Sequence, residues 1–211
     1  MTPEHIYWTK GKITSEQREL RSGHPGCIVW LTGLSASGKS TIATELERQL
    51  FNQGSQVCLL DGDNIRHGLC SDLGFSQTDR TENIRRIGEV AKLFASHGAI
   101  CITAFISPYR TDRDLVRKIM PGGRFIEVFV NAPIEVCEAR DPKGLYAKAR
   151  SNEIKNFTGV SAPYEAPAHP ELELRTDLLG PDECVVRILE YLAAFAEKSR
   201  AGGGRPTDFR D

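Results

Sequence analysis

Short apolar runs recur along the chain and alternate with segments of helical periodicity. Four of these runs, at 27–32, 57–60, 100–106 and 125–130, are rich in Ile, Val, Leu, Phe and Cys. Continuous apolar runs of this length are typical of parallel strands that helices cover on both faces. The pattern therefore predicts four buried parallel strands at these positions.

The segments between the runs carry apolar residues at spacings of three and four. Segment 79–97 has its apolar residues on one face and its charges on the others, which is the pattern of an amphipathic helix. Asp79 and Glu82 are spaced as a capping box at its start, and Gly98 fits the stop position after its end. The same periodicity is found in segments 40–53 and 181–198. Alternating strands and helices predict an α/β fold with a doubly wound parallel sheet.

Polar stretches flank this pattern at both ends. The first 26 residues are polar and mixed in charge, and we expect an extension there with a short helix near residues 15–20. Residues 200–211 contain a glycine run and predict a flexible tail, so the core domain is placed at 27–199. No apolar run approaches the ~20 residues of a membrane-spanning helix, and the first residues lack the order of a secretory signal. We therefore expect a cytoplasmic protein.

Positive and negative charges are nearly balanced. The 211 residues include 27 Lys and Arg against 28 Asp and Glu, which gives a formal net charge of -1. Proteins that bind nucleic acids or anionic membranes need a broad basic face, so we expect neither as a partner, although a small basic pocket is compatible with this balance. The six cysteines are irregularly spaced without a Cys-x-x-Cys pair, which indicates reduced core thiols rather than a zinc site or a disulfide scaffold.

One motif points to phosphate chemistry. Residues 33–40 match Gly-x-x-x-x-Gly-Lys-Ser, directly after a predicted strand and at the start of a predicted helix. The two glycines let backbone N–H groups turn around phosphate oxygens, and the helix N-terminus adds its positive dipole end. Lys39 would bring a point charge to the β- and γ-phosphates, and the Ser40 hydroxyl would serve Mg²⁺. The residues assigned to ATP in this loop are Gly33, Leu34, Ser35, Ala36, Ser37, Gly38, Lys39, Ser40 and Thr41.

Two carboxylates follow the second predicted strand, in the sequence Asp61-Gly62-Asp63. The carboxyl ends of strands face the crevice where α/β sheets bind ligands. The chain has no Asn-Lys-x-Asp motif of the kind GTPases use to read a base, and no acid ends the third strand as in motor-type ATPases. The pattern favours a small-molecule kinase, in which one carboxylate orients or deprotonates an acceptor hydroxyl and the other holds metal-bound water.

Several further blocks make the sequence similar to one family. Besides 33–40, they are 61–69, 73–76, 80–86, 106–109, 141–146, 148–150 and 157–159. With these blocks the chain resembles adenylylsulfate kinase (APS kinase) from about residue 27 to residue 192, which is nearly the whole core. The polar N-terminal extension makes it look most similar to the free-standing fungal enzymes.

The resemblance implies a reaction, a fold and an assembly. The family transfers the γ-phosphate of MgATP to the 3′-hydroxyl of adenosine 5′-phosphosulfate (APS) and forms 3′-phosphoadenylyl sulfate and ADP, a step of sulfate activation. The implied fold is the three-layer P-loop NTPase fold, with a nucleotide-kinase-like doubly wound parallel sheet. The resemblance alone leads us to expect a homodimer.

The resemblance also implies an acceptor site. Arg66 and Arg80 would grip the phosphosulfate because guanidinium forks match such oxygens, with solvated helix arginines as an equal alternative. Phe75 and Phe157 would enclose the adenine; the alternative, that both are core residues, suits Phe157 poorly because it lies in a polar stretch. The residues assigned to the acceptor are Asp63, Arg66, Phe75, Arg80, Asn83, Ile106, Ser107, Lys143 and Phe157.

The polar segment 141–162, which we call the lid, has the composition of a cover that closes over both nucleotides and shields the phosphoryl group from water. In the family, Lys143 contacts the acceptor nucleotide and Arg140 lies near the adenine of ATP. We expect the same placement here.

The catalytic roles follow from these residues. We assign Lys39 to the transferring phosphate, Ser40 and Asp61 to the metal, and Asp63 to the 3′-hydroxyl. The serine at position 107 has been considered as a phosphoserine intermediate in the family. Covalent catalysis needs a base beside the nucleophile, and the local sequence offers none, so we expect Ser107 to contact substrate and transfer to be direct.

Two alternatives stay open on the sequence. One is a P-loop kinase for another small acceptor, against which the blocks at 61–66 and 157–159 count. The other is a non-catalytic module that senses nucleotides, like the kinase-like domain of some fungal ATP sulfurylases. A sensing module would be expected to have a degraded phosphate loop, whereas residues 33–40 are intact here.

Overall fold

A computed structural model describes residues 5, 7, 9, 11–120 and 122–201 of the chain. The strands are β1 (Cys27–Thr32), β2 (Val57–Asp61), β3 (Ile100–Ala104), β4 (Phe125–Asn131) and β5 (Leu172–Arg175). The helices are α1 (Ser15–Ser22), α2 (Lys39–Asn52), α3 (Gly62–Arg66), α4 (Gln77–Ser96), α5 (Arg110–Ile119), α6 (Ile134–Arg140), α7 (Leu145–Arg150) and α8 (Pro181–Ala201).

The strands form one parallel sheet in the order β2-β3-β1-β4-β5. The central strand β1 is buried along its whole length, with Val29 in register with Ile102 on one side and Ile126 on the other. Chain order reverses at β1, and this is the kind of point at which α/β sheets bind ligands. The predicted doubly wound α/β fold is confirmed.

Helices cover both faces of the sheet and complete the three layers. Side chains of alternate strand residues pack against α2 and α8 on one face, where Leu46 and Ile188 are fully buried. The opposite face packs against α4 and α5 around the fully buried Trp30. The six cysteines are free; five are buried and Cys58 is half-buried.

Two element boundaries differ from the predictions by two residues, and one strand was not predicted. Helix α4 begins at Gln77 rather than at Asp79, because the Ser76 hydroxyl accepts a hydrogen bond from the Asp79 amide and is the true N-cap. Gly98 follows the end of α4 with a φ of 88°, as predicted for a stop. Strand β3 ends at Ala104, before Ser107, and β5 was not predicted because charged residues alternate with its two leucines.

The described part of the N-terminal extension contains helix α1. The Thr14 hydroxyl accepts from the Gln17 amide while the Gln17 side chain accepts from the Thr14 amide, which forms a capping box. Arg124 forms an ion pair with Glu19 and thereby ties α1 to the core domain. Most of the expected C-terminal tail, from residue 202 onward, lies outside the described residues. No helix in the described part of the chain is long and apolar enough to cross a bilayer.

Candidate functional site

A cavity of about 1080 Å³ lies at the carboxyl ends of the strands and is walled by the phosphate loop, α3, the start of α4, the loop after β3 and the lid. The wall contains most of the predicted site residues, namely Ser35, Ala36, Gly38, Lys39, Ser40, Thr41, Asp61, Asp63, Arg66, Phe75, Arg80, Asn83, Ile106, Ser107, Arg140, Lys143 and Phe157. The wall does not include Gly33, Leu34 and Ser37 of the phosphate loop.

The phosphate loop needs glycine at both of its ends. Gly38 has a φ of 103°, which side chains rarely tolerate, and it stands at the N-cap of α2. A Cβ at Gly33 would lie 2.3 Å from the carbonyl oxygen of Val130, so the loop could not stay packed against β4. These two positions hold the loop around the start of α2, where backbone N–H groups attract anions.

The Lys39 ammonium is bonded only to backbone carbonyls of the phosphate loop in the described chain. Its Nζ donates to the carbonyl oxygens of Gly33 at 3.0 Å and of Leu34 at 2.6 Å, so the ammonium is folded back onto its own loop. Burial lowers the pKa of Lys39 to about 8, because desolvation disfavours the charged form. A bound polyphosphate would supply the missing counter-charge.

Ser40 and Asp61 form a pair of oxygen donors at the start of α2. The Ser40 hydroxyl donates to Oδ2 of Asp61 at 2.7 Å, and the Asp63 amide donates to Oδ1 of Asp61 at 3.0 Å. Both carboxylate oxygens of Asp61 are thus oriented by the chain, and Asp61 also caps α3. This arrangement places a hydroxyl and a fixed carboxylate at the cavity wall.

The lid reaches Asp63 through Lys143, whose ammonium forms an ion pair with the Asp63 carboxylate. Asp141, at the start of the lid, accepts hydrogen bonds from three amides of α7, those of Leu145, Tyr146 and Ala147. This carboxylate fixes the first turn of α7 in place of a side-chain N-cap. The lid therefore approaches the site from an ordered helix start.

Arg66, Arg80 and Phe75 lie together in the cavity wall. The Arg66 guanidinium lies 4.3 Å from the centre of the Phe75 ring, which is 60% exposed. Arg80 donates to the Phe75 carbonyl, the Thr158 hydroxyl and the Asn156 carbonyl, so it connects α4 to the lid. The cluster presents two guanidinium groups and an open aromatic face, which suits an anion joined to a base.

Asn83 is buried in α4 and lines the same cavity. Its Oδ1 has no hydrogen-bond partner within the described chain. Buried amide oxygens are nearly always paired, so an unpaired one at a cavity wall indicates a ligand contact. The unpaired oxygen suits the predicted assignment of Asn83 to the acceptor.

The hydroxyl of Ser107 belongs to a buried hydrogen-bond chain. Trp30 Nε1 donates to Ser107 Oγ at 3.1 Å, and Ser107 Oγ donates to Thr32 Oγ1 at 2.9 Å. Thr32 in turn donates its own proton to the Ile106 carbonyl, so the Tyr164 hydroxyl, 3.0 Å away, must be the donor to Thr32. The Ser107 hydroxyl therefore donates its hydrogen bond to another hydroxyl and not to a base.

Phe157 is more buried than we expected. It is 8% exposed and packs edge-to-face with Tyr146 at a centroid distance of 5.0 Å. The two rings belong to a small core beneath the lid, together with Cys137 and Ala149, and Tyr146 donates to the Ser35 carbonyl of the phosphate loop. The core interpretation that we ranked lower for Phe157 is thus correct for its packing, although the ring also borders the cavity.

Arg140 lies in the cavity wall beside the phosphate loop, where its guanidinium contacts the Ala36 carbonyl. Its guanidinium donates to the carbonyl oxygen of Thr176 at 2.6 Å and contacts Thr176 Oγ1 at 3.3 Å. Sequence reasoning missed Thr176 and the neighbouring wall residues Leu179, Pro181 and Cys184. The signal for Thr176 would have been its position directly after β5, the strand that was not predicted.

Comparison with known proteins points to one family. The family model described as adenylylsulphate kinase matches residues 25–175. The adenylyl-sulfate kinase of Marinobacter nauticus is 57% identical over 188 residues, which are 89% of this chain and 94% of the relative.

Two solved structures are also similar. The Mycobacterium tuberculosis APS kinase in complex with AMPPNP and APS has a TM-score of 0.78 and 48% identity, over 81% of this chain and 99% of that one. The hexameric APS kinase from Thiobacillus denitrificans has a TM-score of 0.62 and 36% identity, over 85% of this chain and 30% of that one. These relatives are bacterial, so the expected similarity to fungal enzymes finds no support among them. The extent of the family match and the 57% identity show that the chain belongs to the adenylylsulphate kinase family.

Proposed function

We propose that the chain transfers the γ-phosphate of ATP to the 3′-hydroxyl of APS and forms 3′-phosphoadenylyl sulfate and ADP in sulfate activation. The observation that carries this function is one cavity whose wall contains both an intact phosphate loop and the Arg66, Arg80 and Phe75 cluster. Its volume of about 1080 Å³ is at the upper end of the range for small-molecule sites, which suits two nucleotides. The M. tuberculosis relative was solved with AMPPNP and APS.

The ATP end is formed by the phosphate loop and Arg140. Backbone N–H groups at the start of α2 would hold the phosphates, and Lys39 would turn from the Gly33 and Leu34 carbonyls to the transferring phosphate. Arg140 and Thr176 would border the adenine. In turning, Lys39 would exchange hydrogen bonds to two neutral carbonyls for one to a charged phosphate oxygen. Hydrogen bonds between charged groups are stronger, so ATP binding would favour the turned position of Lys39.

The oxygen donors at this end fit magnesium. Mg²⁺ in nucleotide sites is bound by one or two carboxylates, phosphates and water, and Ser40 and Asp61 supply a hydroxyl and an oriented carboxylate. No group of three or more His, Cys, Asp and Glu that could hold a metal occurs among the described residues, so phosphates and water would complete the shell. When bound, the ion would neutralise charge on the transferring phosphoryl group.

The acceptor end would hold APS with its 3′-hydroxyl towards Asp63. Arg66 and Arg80 would bind the phosphosulfate, Asn83 would accept a hydrogen bond from the nucleoside, and Phe75 would cover the base. Asp63 would orient the hydroxyl or accept its proton while the oxygen attacks phosphorus in line. Phe157 would support this site from beneath the lid.

Transfer would be direct. The Ser107 proton is donated to Thr32, and no carboxylate or imidazole contacts Ser107 Oγ in the described chain. Covalent catalysis would require such a base. The contribution of Ser107 to substrate binding would come from its backbone, because its hydroxyl is already committed to Trp30 and Thr32.

The test is a coupled assay of ADP release with ATP and magnesium, with and without APS. We expect release to depend on APS, to be lost in Lys39→Met, and to be retained in Lys198→Met, whose lysine is exposed on α8 outside the cavity wall. Hydrolysis that is independent of APS, or activity only with another acceptor, would contradict the proposal. Nucleotide binding without ADP release would identify a sensing module.

A homodimer and a cytoplasmic location complete the proposal. The hexameric relative from T. denitrificans supports self-association of this chain. Light scattering should then give twice the 23.4 kDa mass of the chain, and cell fractionation should recover the protein with the cytoplasm. A monomeric mass would contradict the assembly but not the activity.

A further inference from the structure

Arg113 on α5 is the most buried charged side chain close to the cavity, yet it does not line the cavity wall. Its side chain is 1% exposed. Nε donates to Oε1 of Glu127 on β4 at 2.7 Å, Nη1 donates to the Ser107 carbonyl at 2.6 Å, and Nη2 donates to the Glu165 carbonyl at 2.7 Å. One planar group therefore joins the sheet to two separate loops.

The hydrogen bonds from Arg113 to the Ser107 and Glu165 carbonyls are not needed to neutralise its charge. Burying a guanidinium is costly, and Glu127 alone supplies the counter-charge. Nη1 and Nη2 of Arg113 donate instead to the carbonyl oxygens of Ser107 and Glu165. The planar guanidinium can donate in these directions and to Glu127 at the same time. A lysine ammonium at the same position could neutralise Glu127 but could not contact all three acceptors.

The Ser107 contact holds a strained backbone. Ser107 has a φ of 40°, an uncommon conformation for a residue with a side chain, and with Ile106 it lines the cavity. Such conformations persist when several contacts fix them. Arg113 fixes the carbonyl of Ser107, while Trp30 and Thr32 fix its hydroxyl.

The Glu165 contact holds the chain just after the lid. The Glu165 amide donates to the Pro108 carbonyl at 2.8 Å, and the Arg110 amide donates to the Glu165 carboxylate at 2.8 Å. The loop 105–110 and the segment 163–167 are therefore clamped together, with Arg113 bonded to both. The end of the lid is therefore tied to the loop after β3.

We propose that Arg113 is a positioning residue for the acceptor, an inference that rests on the proposed function. It sets the loop 105–110 and the end of the lid at the spacing that APS requires, and it does so from outside the cavity. ATP binds to the phosphate loop, which Arg113 does not touch, so its influence falls on APS.

The test compares Arg113→Lys with Arg117→Lys. Arg117 lies one turn further along α5 and pairs with Glu127 and Glu171 but contacts neither Ser107 nor Glu165, so it is a matched control. We expect Arg113→Lys to raise the KM for APS by about ten-fold or more while the KM for ATP stays within about two-fold. Arg117→Lys should leave both KM values within that range. An unchanged KM for APS in Arg113→Lys, or equal rises for both substrates, would overturn the proposal.

A second variant keeps the test decisive if Arg113→Lys does not fold. Arg113→Met combined with Glu127→Met removes the ion pair without leaving a buried unpaired charge, because Arg117, the other partner of Glu127, keeps its pair with Glu171. Such replacements are often tolerated. The same selective rise in KM for APS is expected, and its absence counts against the proposal. Amide hydrogen exchange needs no turnover: it should become faster in 105–110 and 163–167 in the Arg113 variants and not in Arg117→Lys. An inactive wild-type protein would defeat the proposed function and with it a role for Arg113 towards APS, whereas unchanged exchange in the Arg113 variants would overturn the inference alone.

Discussion

The ammonium of Lys143 in the lid forms an ion pair with the carboxylate of Asp63 beside the end of β2. This contact bridges the cavity and joins two residues that we place at the acceptor. Their side chains are 60% and 67% exposed, and exposed ion pairs contribute at most about 1 kcal/mol to stability. The pair can therefore open readily when substrate enters, and it keeps both charged groups at the mouth of the site until then.

Replacing Lys143 should raise the KM for APS and leave the free energy of unfolding almost unchanged. We expect Lys143→Met to change the free energy of unfolding by less than about 1 kcal/mol, because the ion pair is exposed. The KM for APS should rise by about ten-fold or more, because a charged hydrogen bond to the acceptor is lost. Denaturant unfolding and initial rates measure the two effects. Lys148→Met, in the same lid but outside the cavity wall, is the control and should leave both values unchanged.

The two aspartates should respond differently to amide substitution. Asp63→Asn should lower kcat by about 10²–10⁴-fold, the usual contribution of a general base. Asp61→Asn should instead raise the magnesium concentration needed for half-maximal rate, since Asp61 is oriented by Ser40. A magnesium titration of the rate distinguishes them. Near-normal turnover in Asp63→Asn with no activity in Asp61→Asn would show that the roles are reversed.

The lowered pKa of Lys39 predicts a pH-dependent uptake of protons. Burial lowers this pKa to about 8 in the free protein, and bound phosphates should restore the charged form. At pH 8, ATP binding should therefore take up about half a proton at Lys39, and less at lower pH where the ammonium is already charged. Calorimetry in two buffers of different ionisation enthalpy measures this uptake. Lys39→Arg, always charged, should lack it, and equal uptake in both proteins would refute the assignment.

The lowered pKa of Lys39 also predicts how the free energy of unfolding changes with pH. The folded-state pKa of Lys39 lies below the ordinary value of 10.5, so the unfolded chain binds more protons between about pH 8 and 10.5. The contribution of Lys39 to the free energy of unfolding should rise through that window in the absence of ATP. Lys39→Met should abolish this part of the pH dependence in chemical denaturation.

Ser107→Ala should cost stability more than turnover. The Trp30 N–H would lose its acceptor, and an unsatisfied buried donor costs about 1–3 kcal/mol. If transfer is direct, the variant should still phosphorylate APS, and rapid quench with labelled ATP should find no phosphate on the wild-type protein. Stoichiometric phosphate on Ser107 that forms at the rate of turnover would establish a covalent route instead.

Local patterns predicted much of the fold. The boundaries of β1 agree with its apolar run, and α2, α4 and α8 begin within two residues of their predicted starts. These elements have an apolar run or a clear helical period. Helix α5 was not predicted, because it is rich in charge and buries Asp112 and Arg113, which sequence reasoning assigns to solvent.

The phosphate loop and the two aspartates could be found from sequence because their chemistry depends on neighbours in the chain. Gly33, Gly38, Lys39 and Ser40 are fixed by the turn between β1 and α2, and Asp61 caps the helix that carries Asp63. The burial of Phe157 under the lid and the Asp63–Lys143 pair required the tertiary structure. The same holds for the hydrogen bonds that Ser107 and Arg113 make. All of these contacts join residues that are not neighbours in a helix or strand. A contact of this kind produces no repeating pattern in the sequence, so only the tertiary structure reveals it.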